Sequence, residues 1–296
     1  MNFHPRSMLF VSGEKAERFP KALAAGADLV CIDLEDAVHP DRKAEARTQV
    51  LGWLAAHPPQ PGEPRRALRV NAVRTLEGLR DLLALAESGL TLDLLLLPKT
   101  EDAADVRAVQ GWVGGQLGGI VALIETPLGI ENALQIAAAA PAPAGSAAPL
   151  FALMLGGADL SAELDARFDR HGLQYARGRL VNAAKAAGLQ AWDVPHVDLQ
   201  DDAGLREETR AVLGLGYDCK TAIHPQQIAG IHAAFTPTPA ETDWARTLLA
   251  AVPGGGASGA FLFNGRMVDA PLLKKARRIR EREALALQAR ERAALS

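Results

Sequence analysis

The chain has 296 residues, 48% of them hydrophobic, and a formal net charge of −3 at pH 7. That length and apolar content are enough for one large α/β domain, and the slightly acidic balance gives no electrostatic reason to expect nucleic acid or an anionic membrane as partner. Proline or charge interrupts every hydrophobic stretch before the ~18 residues a membrane span needs, and Met1-Asn2-Phe3-His4-Pro5-Arg6 lacks an apolar targeting segment. The expectation is therefore a soluble cytoplasmic protein, with Cys31 and Cys219 as small buried hydrophobes in a reducing compartment.

Along the chain, apolar runs of strand length occupy residues 7–11, 29–34, 67–71, 92–98, 120–125, 150–155, 189–193 and 219–224. Helical spacing fills most of the intervals, including residues 41–55, 75–87, 175–187 and 205–215, and several of these stretches end at glycine. Eight strands alternating with helices predict an α/β fold, a (β/α)8 TIM barrel over residues 1–235; a doubly wound open sheet is the competing architecture. The Ala/Pro/Gly-rich stretch 137–149 reads as a surface connection.

A C-terminal extension, residues 236–296, breaks this rhythm at Pro237 and Pro239. It carries a helix over 241–251, a glycine-rich loop at 254–259, a hairpin turning at Asn264-Gly265, and a terminal helix over 272–294 whose mixed charges suit a solvated face. A hairpin on a glycine stretch can serve as a lid or simply as a packing element.

Asp33, Glu35, Asp36, Arg69, Lys99, Glu125, Asp159, Asp193 and His224 each close or closely follow an apolar run. Parallel strands bring their carboxyl ends to one edge, so these charges predict one shared site. Glu125 and Asp159 follow consecutive strands and suit Mg2+, which is commonly bound by one or two carboxylates with water and substrate oxygen completing the shell; helix capping is the alternative for each. Gly156-Gly157 beside them lets backbone N–H groups approach a ligand.

Arg69 can hold a carboxylate or stabilise an enolate oxygen, or else pair with Asp33 or Glu35. The cluster Asp33-Leu34-Glu35-Asp36 is too acidic to crowd one strand end without cations or a metal nearby, and its acids, Glu35 and Asp36 among them, are candidates to orient Arg69 or the waters around a metal. Lys99 and Lys220 raise the possibility of a Schiff base, but the carboxylate pair offers a metal route to the same chemistry. There is no Gly-x-Ser-x-Gly elbow, no P-loop and no Gly-x-Gly-x-x-Gly opening a helix, so serine hydrolysis, P-loop phosphoryl transfer and hydride transfer lack their usual marks.

Arg6-Ser7-Met8-Leu9-Phe10-Val11, Asp33-Leu34-Glu35-Asp36-Ala37-Val38, Arg69-Val70-Asn71, Pro98-Lys99, Ile124-Glu125-Thr126, Gly156-Gly157-Ala158-Asp159-Leu160, Ile223-His224-Pro225-Gln226-Gln227 and Asn264-Gly265-Arg266-Met267-Val268-Asp269 resemble the citrate lyase β-subunit-like family. That family lies within the wider HpcH/HpaI aldolase group, with malyl-CoA and citramalyl-CoA lyases, and the resemblance runs in order from Arg6 to Arg277. It implies a Mg2+-dependent barrel that cleaves a 3-hydroxyacyl-CoA thioester into acetyl-CoA and an oxo acid, or runs the reverse condensation.

By the same resemblance, Glu125 and Asp159 would be metal ligands, and Arg69 would contact the oxo acid and the thioester enolate. Asp269 would reach a neighbouring subunit's site and exchange a proton with the acetyl methyl, which implies a homo-oligomer, a trimer or a multiple of one. Arg6 and Lys15 fall where the family meets coenzyme A. Ser12 and Cys219 depart from the family's usual Pro and Gly, which bears on the thioester entrance and on packing beneath His224. The alternatives are a citrate lyase β subunit acting on a citryl carrier-protein thioester among partner subunits, a class II pyruvate aldolase using no thioester, and a non-catalytic acyl-CoA-binding or scaffold protein.

Overall fold

The computed structural model describes residues 3–139, 148–252 and 260–295, with side chains to residue 287. The glycine-rich stretch 254–259 and most of 137–149 lie outside the described residues. The chain divides into two compact units, Met1–Ile231 and His232–Ser296.

Eight parallel strands of the first unit close into a barrel in sequence order: β1 (Ser7–Ser12), β2 (Leu29–Asp33), β3 (Arg65–Arg69), β4 (Leu94–Leu97), β5 (Ile120–Ile124), β6 (Leu150–Leu155), β7 (Gln190–Asp193) and β8 (Cys219–Ala222). Between them run the helices α1 (Phe19–Leu23), α2 (Lys43–Ala56), α3 (Leu76–Ser88), α4 (Ala103–Val113), α5 (Pro127–Glu131), α6 (Ala133–Ala137), α7 (Gly157–Glu163), α8 (Gln174–Ala186) and α9 (Asp202–Leu215), with α10 (Gln227–Phe235) after β8. The (β/α)8 fold expected from the alternation is thus the one observed. All eight strands fall on the apolar runs, displaced at their ends by a few residues. No described helix is long and apolar enough to cross a membrane.

Strand side chains alternate between the barrel interior and the helical layer. The interior is filled by Met8, Leu29, Cys31, Ala67, Leu94, Leu96, Val121, Leu123, Ala152, Met154, Trp192 and Cys219, all buried. The same parity carried one step up β2, β3 and past β5 gives Asp33, Arg69 and Glu125, so the apolar column ends in charge at the carboxyl mouth. Cys219 takes its place in this packed interior.

In the second unit, α11 (Pro239–Ala250), the hairpin strands β9 (Phe261–Phe263) and β10 (Arg266–Val268) and α12 (Ala270–Leu295) share a small core of Ala245, Leu248, Val268, Leu273, Ala276 and Ile279. Thr238 and Glu241 form a reciprocal capping box at the start of α11. Asn264 (φ 49°) and Gly265 (φ 74°) both take the left-handed conformation that a tight two-residue hairpin turn requires.

Trp192 is fully buried in the barrel, packs edge-on against Phe151 and donates its indole N–H to Gln190 Oε1 at 2.9 Å. Trp192→Ala removes that volume and is expected to lower stability by about 3–5 kcal/mol, read as a lower urea midpoint with an unchanged denaturant slope.

Candidate functional site

Asp33 closes β2 and is 1% exposed, a position that an ionised carboxylate tolerates only with strong partners. It has them: Arg69 donates from Nε to Asp33 Oδ1 at 2.7 Å and from Nη2 to Oδ2 at 2.6 Å, while the backbone N–H groups of Glu35 and Ala37 donate to the same carboxylate at 2.8 and 3.1 Å. One ion pair therefore fixes both the arginine and the loop after β2. The Arg69 guanidinium lies over the Phe10 ring, 5.1 Å from its centroid. Burial works against its charge, but Asp33 and Glu35 outweigh that and hold Arg69 above its ordinary pKa.

The remaining Arg69 nitrogen, Nη1, stands 2.9 Å from Glu35 Oε2 and 3.7 Å from Asp36 Oδ2. The first contact is an ion pair without hydrogen-bond alignment, so the buried Glu35 Oε2 has no donor. Burial and the neighbouring Asp36 push the Glu35 carboxyl up, against the pull of Arg69 and Lys99. Lys43 braces the loop from below, donating from Nζ to the Leu34 and Glu35 carbonyls at 2.9 and 2.6 Å.

Lys99 follows β4 and donates in two directions, from its backbone N–H to Glu125 Oε1 at 2.7 Å and from Nζ to Glu35 Oε1 at 3.0 Å. The same Nζ lies 3.9 Å from Asp36 Oδ1 and 3.7 Å from Asp159 Oδ2. Glu125 is buried just past β5, and burial together with the charges of Glu35 and Asp159 pushes its carboxyl up to about 8 despite Arg69 and the Lys99 N–H. Asp159 stands in the first turn of α7.

Gly156 makes room for Glu125: a Cβ there would fall 2.4 Å from Glu125 Cβ and 2.5 Å from its Oε2. Its N–H is already given to the Ile124 carbonyl at 2.8 Å. The glycine therefore accommodates a carboxylate, where the sequence reading assigned it to backbone contact with a ligand.

Four carboxylates, Glu35, Asp36, Glu125 and Asp159, thus gather with the arginine already committed to Asp33. Among the described residues no three His, Cys, Asp or Glu side chains form a ready metal cage. A hard divalent cation held by Glu125 and Asp159, with water or substrate oxygen completing its shell, fits this all-oxygen donor set and the donor-less Glu35 Oε2.

Asp193 and Arg6 lie elsewhere. Asp193 ends β7 but is out of phase with the inward Trp192, and its carboxylate accepts from Arg177 of α8 at 2.9 and 3.1 Å and from Lys220 at 2.6 Å, outside the barrel wall. Lys220 is likewise fully buried in that outer network. Arg6 precedes β1 at the amino end of the barrel, where its guanidinium and backbone N–H are bound by Asp28 at 2.7–2.9 Å. Arg6 thus sits at the end of the barrel opposite the cluster.

Lys15 does lie on the carboxyl side, exposed in the loop after β1. Ser12 in that loop donates to the Ala37 carbonyl at 2.6 Å, tying the first loop to the second. Asp269 follows β10 in the second unit, where its Oδ1 accepts from Leu272 N–H at 3.4 Å. Sequence reasoning missed Lys43 and Phe10; it placed Lys99 at the shared site, and the one chemical role it weighed there was that of a Schiff-base nucleophile.

Comparison with known proteins agrees over nearly the whole chain. The model of the family described as HpcH/HpaI aldolase/citrate lyase matches residues 6–225. The chain is 34% identical over 293 residues to citrate lyase subunit beta of Escherichia coli, covering 95% of this chain and 93% of that protein. It is 32% identical over 285 residues to the mitochondrial citramalyl-CoA lyase of Homo sapiens, covering 92% and 83%. The crystal structure of the CitE protein of Mycobacterium tuberculosis in complex with magnesium, acetoacetate and coenzyme A superposes with a TM-score of 0.79 at 34% identity, covering 96% of this chain and all of that one.

Because Glu125 is raised in the fold, the metal-free folded state keeps a proton that the unfolded chain releases, and stability falls as pH climbs from the ordinary glutamate range towards 8. Glu125→Gln has nothing to titrate. Metal-free thermal denaturation should show the two proteins nearly equal near pH 4.5 and the Gln variant more stable at pH 8.5, by on the order of 2 kcal/mol; equal melting temperatures at both pH values would count against the buried carboxylate.

Proposed function

The chain belongs to the HpcH/HpaI aldolase/citrate lyase family and is a carbon–carbon lyase, and from that premise we propose that it cleaves a 3-hydroxyacyl-CoA thioester of the citramalyl-CoA or malyl-CoA type into acetyl-CoA and an oxo acid, or runs the reverse condensation. The observation that carries this reading is the raised, buried carboxyl of Glu125 with Asp159 beside it, two acids suited to a cation, together with an Arg69 guanidinium held charged within reach of the same mouth. A coenzyme A ligand is supported by the M. tuberculosis CitE structure, which binds magnesium, acetoacetate and coenzyme A together.

In this reading Glu125 and Asp159 would hold Mg2+, which would supply Lewis acidity to substrate oxygen. The 3-hydroxyl gives up its proton to solvent water and its oxygen becomes the carbonyl of the oxo acid as the C–C bond breaks and that bond's electrons form the thioester enolate; Arg69 binds the oxo-acid side and stabilises the negative charge developing on the thioester carbonyl oxygen. Asp33, Glu35 and Asp36 keep the guanidinium charged and aimed. Asp269 of one copy gives its proton to the enolate carbon in the site of another, making the acetyl methyl, so the active assembly is a homo-oligomer of trimeric type. Lys15, on the rim after β1, meets the coenzyme A moiety.

A second reading, the β subunit of a citrate lyase acting on a citryl carrier-protein thioester, is favoured by the 34% identity to the Escherichia coli subunit. Incubation with citramalyl-CoA, malyl-CoA and citryl-CoA separates the two. Mg2+-dependent acetyl-CoA release, abolished by chelator and by Glu125→Ala with Asp159→Ala, is the expected result; turnover confined to a citryl carrier protein would support the second reading. Asp269→Asn is expected to lower kcat at least about 100-fold with little change in Mg2+ affinity, and full turnover by that variant would remove Asp269 from the mechanism.

A further inference from the structure

Lys99 has no part in the chemistry just described, yet it touches more of the acidic cluster than any other residue named. Its Nζ is 3.0 Å from Glu35 Oε1, 3.9 Å from Asp36 Oδ1 and 3.7 Å from Asp159 Oδ2, and its backbone N–H binds Glu125 Oε1 at 2.7 Å. One residue therefore engages both carboxylates assigned to the divalent cation, one with each end.

The placement is built in. Lys99 has a φ of 51°, a left-handed conformation that a residue with a long side chain adopts only where its surroundings impose it. Those surroundings are the Glu125 carboxylate on its own N–H and the two bonds of the next residue, Thr100 N–H to the Leu123 carbonyl at 3.1 Å and Thr100 Oγ1 to the Leu97 carbonyl at 2.8 Å. The backbone thus aims the side chain at the acids. The ammonium is nonetheless partly solvated, with 42% of the side chain exposed, so it has somewhere to go when displaced. Arg69 is already engaged by Asp33 and Glu35, which leaves Lys99 as the counter-charge closest to Asp159.

We propose that Lys99 is a resident counter-ion that sets the divalent-cation affinity of this site, competing with the ion for Glu35, Asp36 and Asp159. It touches no reacting atom and acts through the carboxylates. The proposal rests on Glu125 and Asp159 being the metal ligands, as argued above.

Titration calorimetry of the metal-free protein with Mg2+, repeated with Mn2+ by electron paramagnetic resonance, tests it without substrate. Removing one charge 3–4 Å from these acids in Lys99→Met should tighten Mg2+ binding about tenfold, whereas Lys99→Arg, which keeps the charge, should stay within about threefold of the parent. Lys99→Gln carries the same test if the Met variant does not fold. Unchanged or weaker binding in the neutral variants, with binding still lost in Glu125→Ala/Asp159→Ala, overturns the role of Lys99 and leaves the metal site standing. Mg2+ binding that is absent, or indifferent to loss of Glu125 and Asp159, overturns the metal site and this proposal together.

Discussion

The structure at the barrel mouth depends on one buried ion pair. Asp33 and Arg69 meet through two parallel hydrogen bonds at the top of neighbouring strands, in register with one another across the sheet. Removing either partner would strand a charge in a place that water scarcely reaches, a far heavier penalty than the pair's own net worth. Because the Asp33 carboxylate also takes the N–H groups of Glu35 and Ala37, the same pair shapes the acidic loop, and the loop in turn presents Glu35 to Lys99. Geometry at the mouth thus propagates outward from a single salt bridge.

Two of the protein's sets of buried charges have opposite characters. Outside the barrel wall, Asp193 and Glu208 face Arg177 and Lys220, with His196 donating towards Glu208 from Nδ1 at 2.8 Å. Burial works against ionised Glu208, but Lys220, His196 and Arg177 hold it down at about 2. That set is balanced and ties α8 and α9 to the last two strands. Inside the mouth, acids outnumber the cations that face them, and burial lifts Glu125 to about 8 instead of lowering it. A balanced cluster holds a fold together, whereas an unbalanced one is poised for a ligand of the missing sign.

Most of the fold was legible because each strand is a nearly unbroken apolar run, as strands buried on both faces must be. The site was legible to the extent that charges at strand ends converge. Parity is what the positional reading overlooked: Leu29, Cys31 and Asp33 lie on one side of β2, as do Val121, Leu123 and then Glu125 from β5 onward, whereas Asp193 alternates with the inward Trp192. Counting by twos from the core would have sent Asp193 and Lys220 to the helices. Arg6 was read by motif alone, although a residue preceding a strand must sit at the opposite end of a parallel barrel from one that follows it. Lys43 and Phe10 gave no such signal, since a lysine on a helix and a phenylalanine in a strand are both ordinary there.

The amino end of the barrel has a consequence of its own. Arg6 is locked to Asp28 at that end, and above it the interior is packed with side chains up to Met154 and Trp192. The barrel is therefore a cup rather than a tube. Whatever reaches Arg69 enters and leaves over one rim, so a bound molecule blocks the way in for the next one.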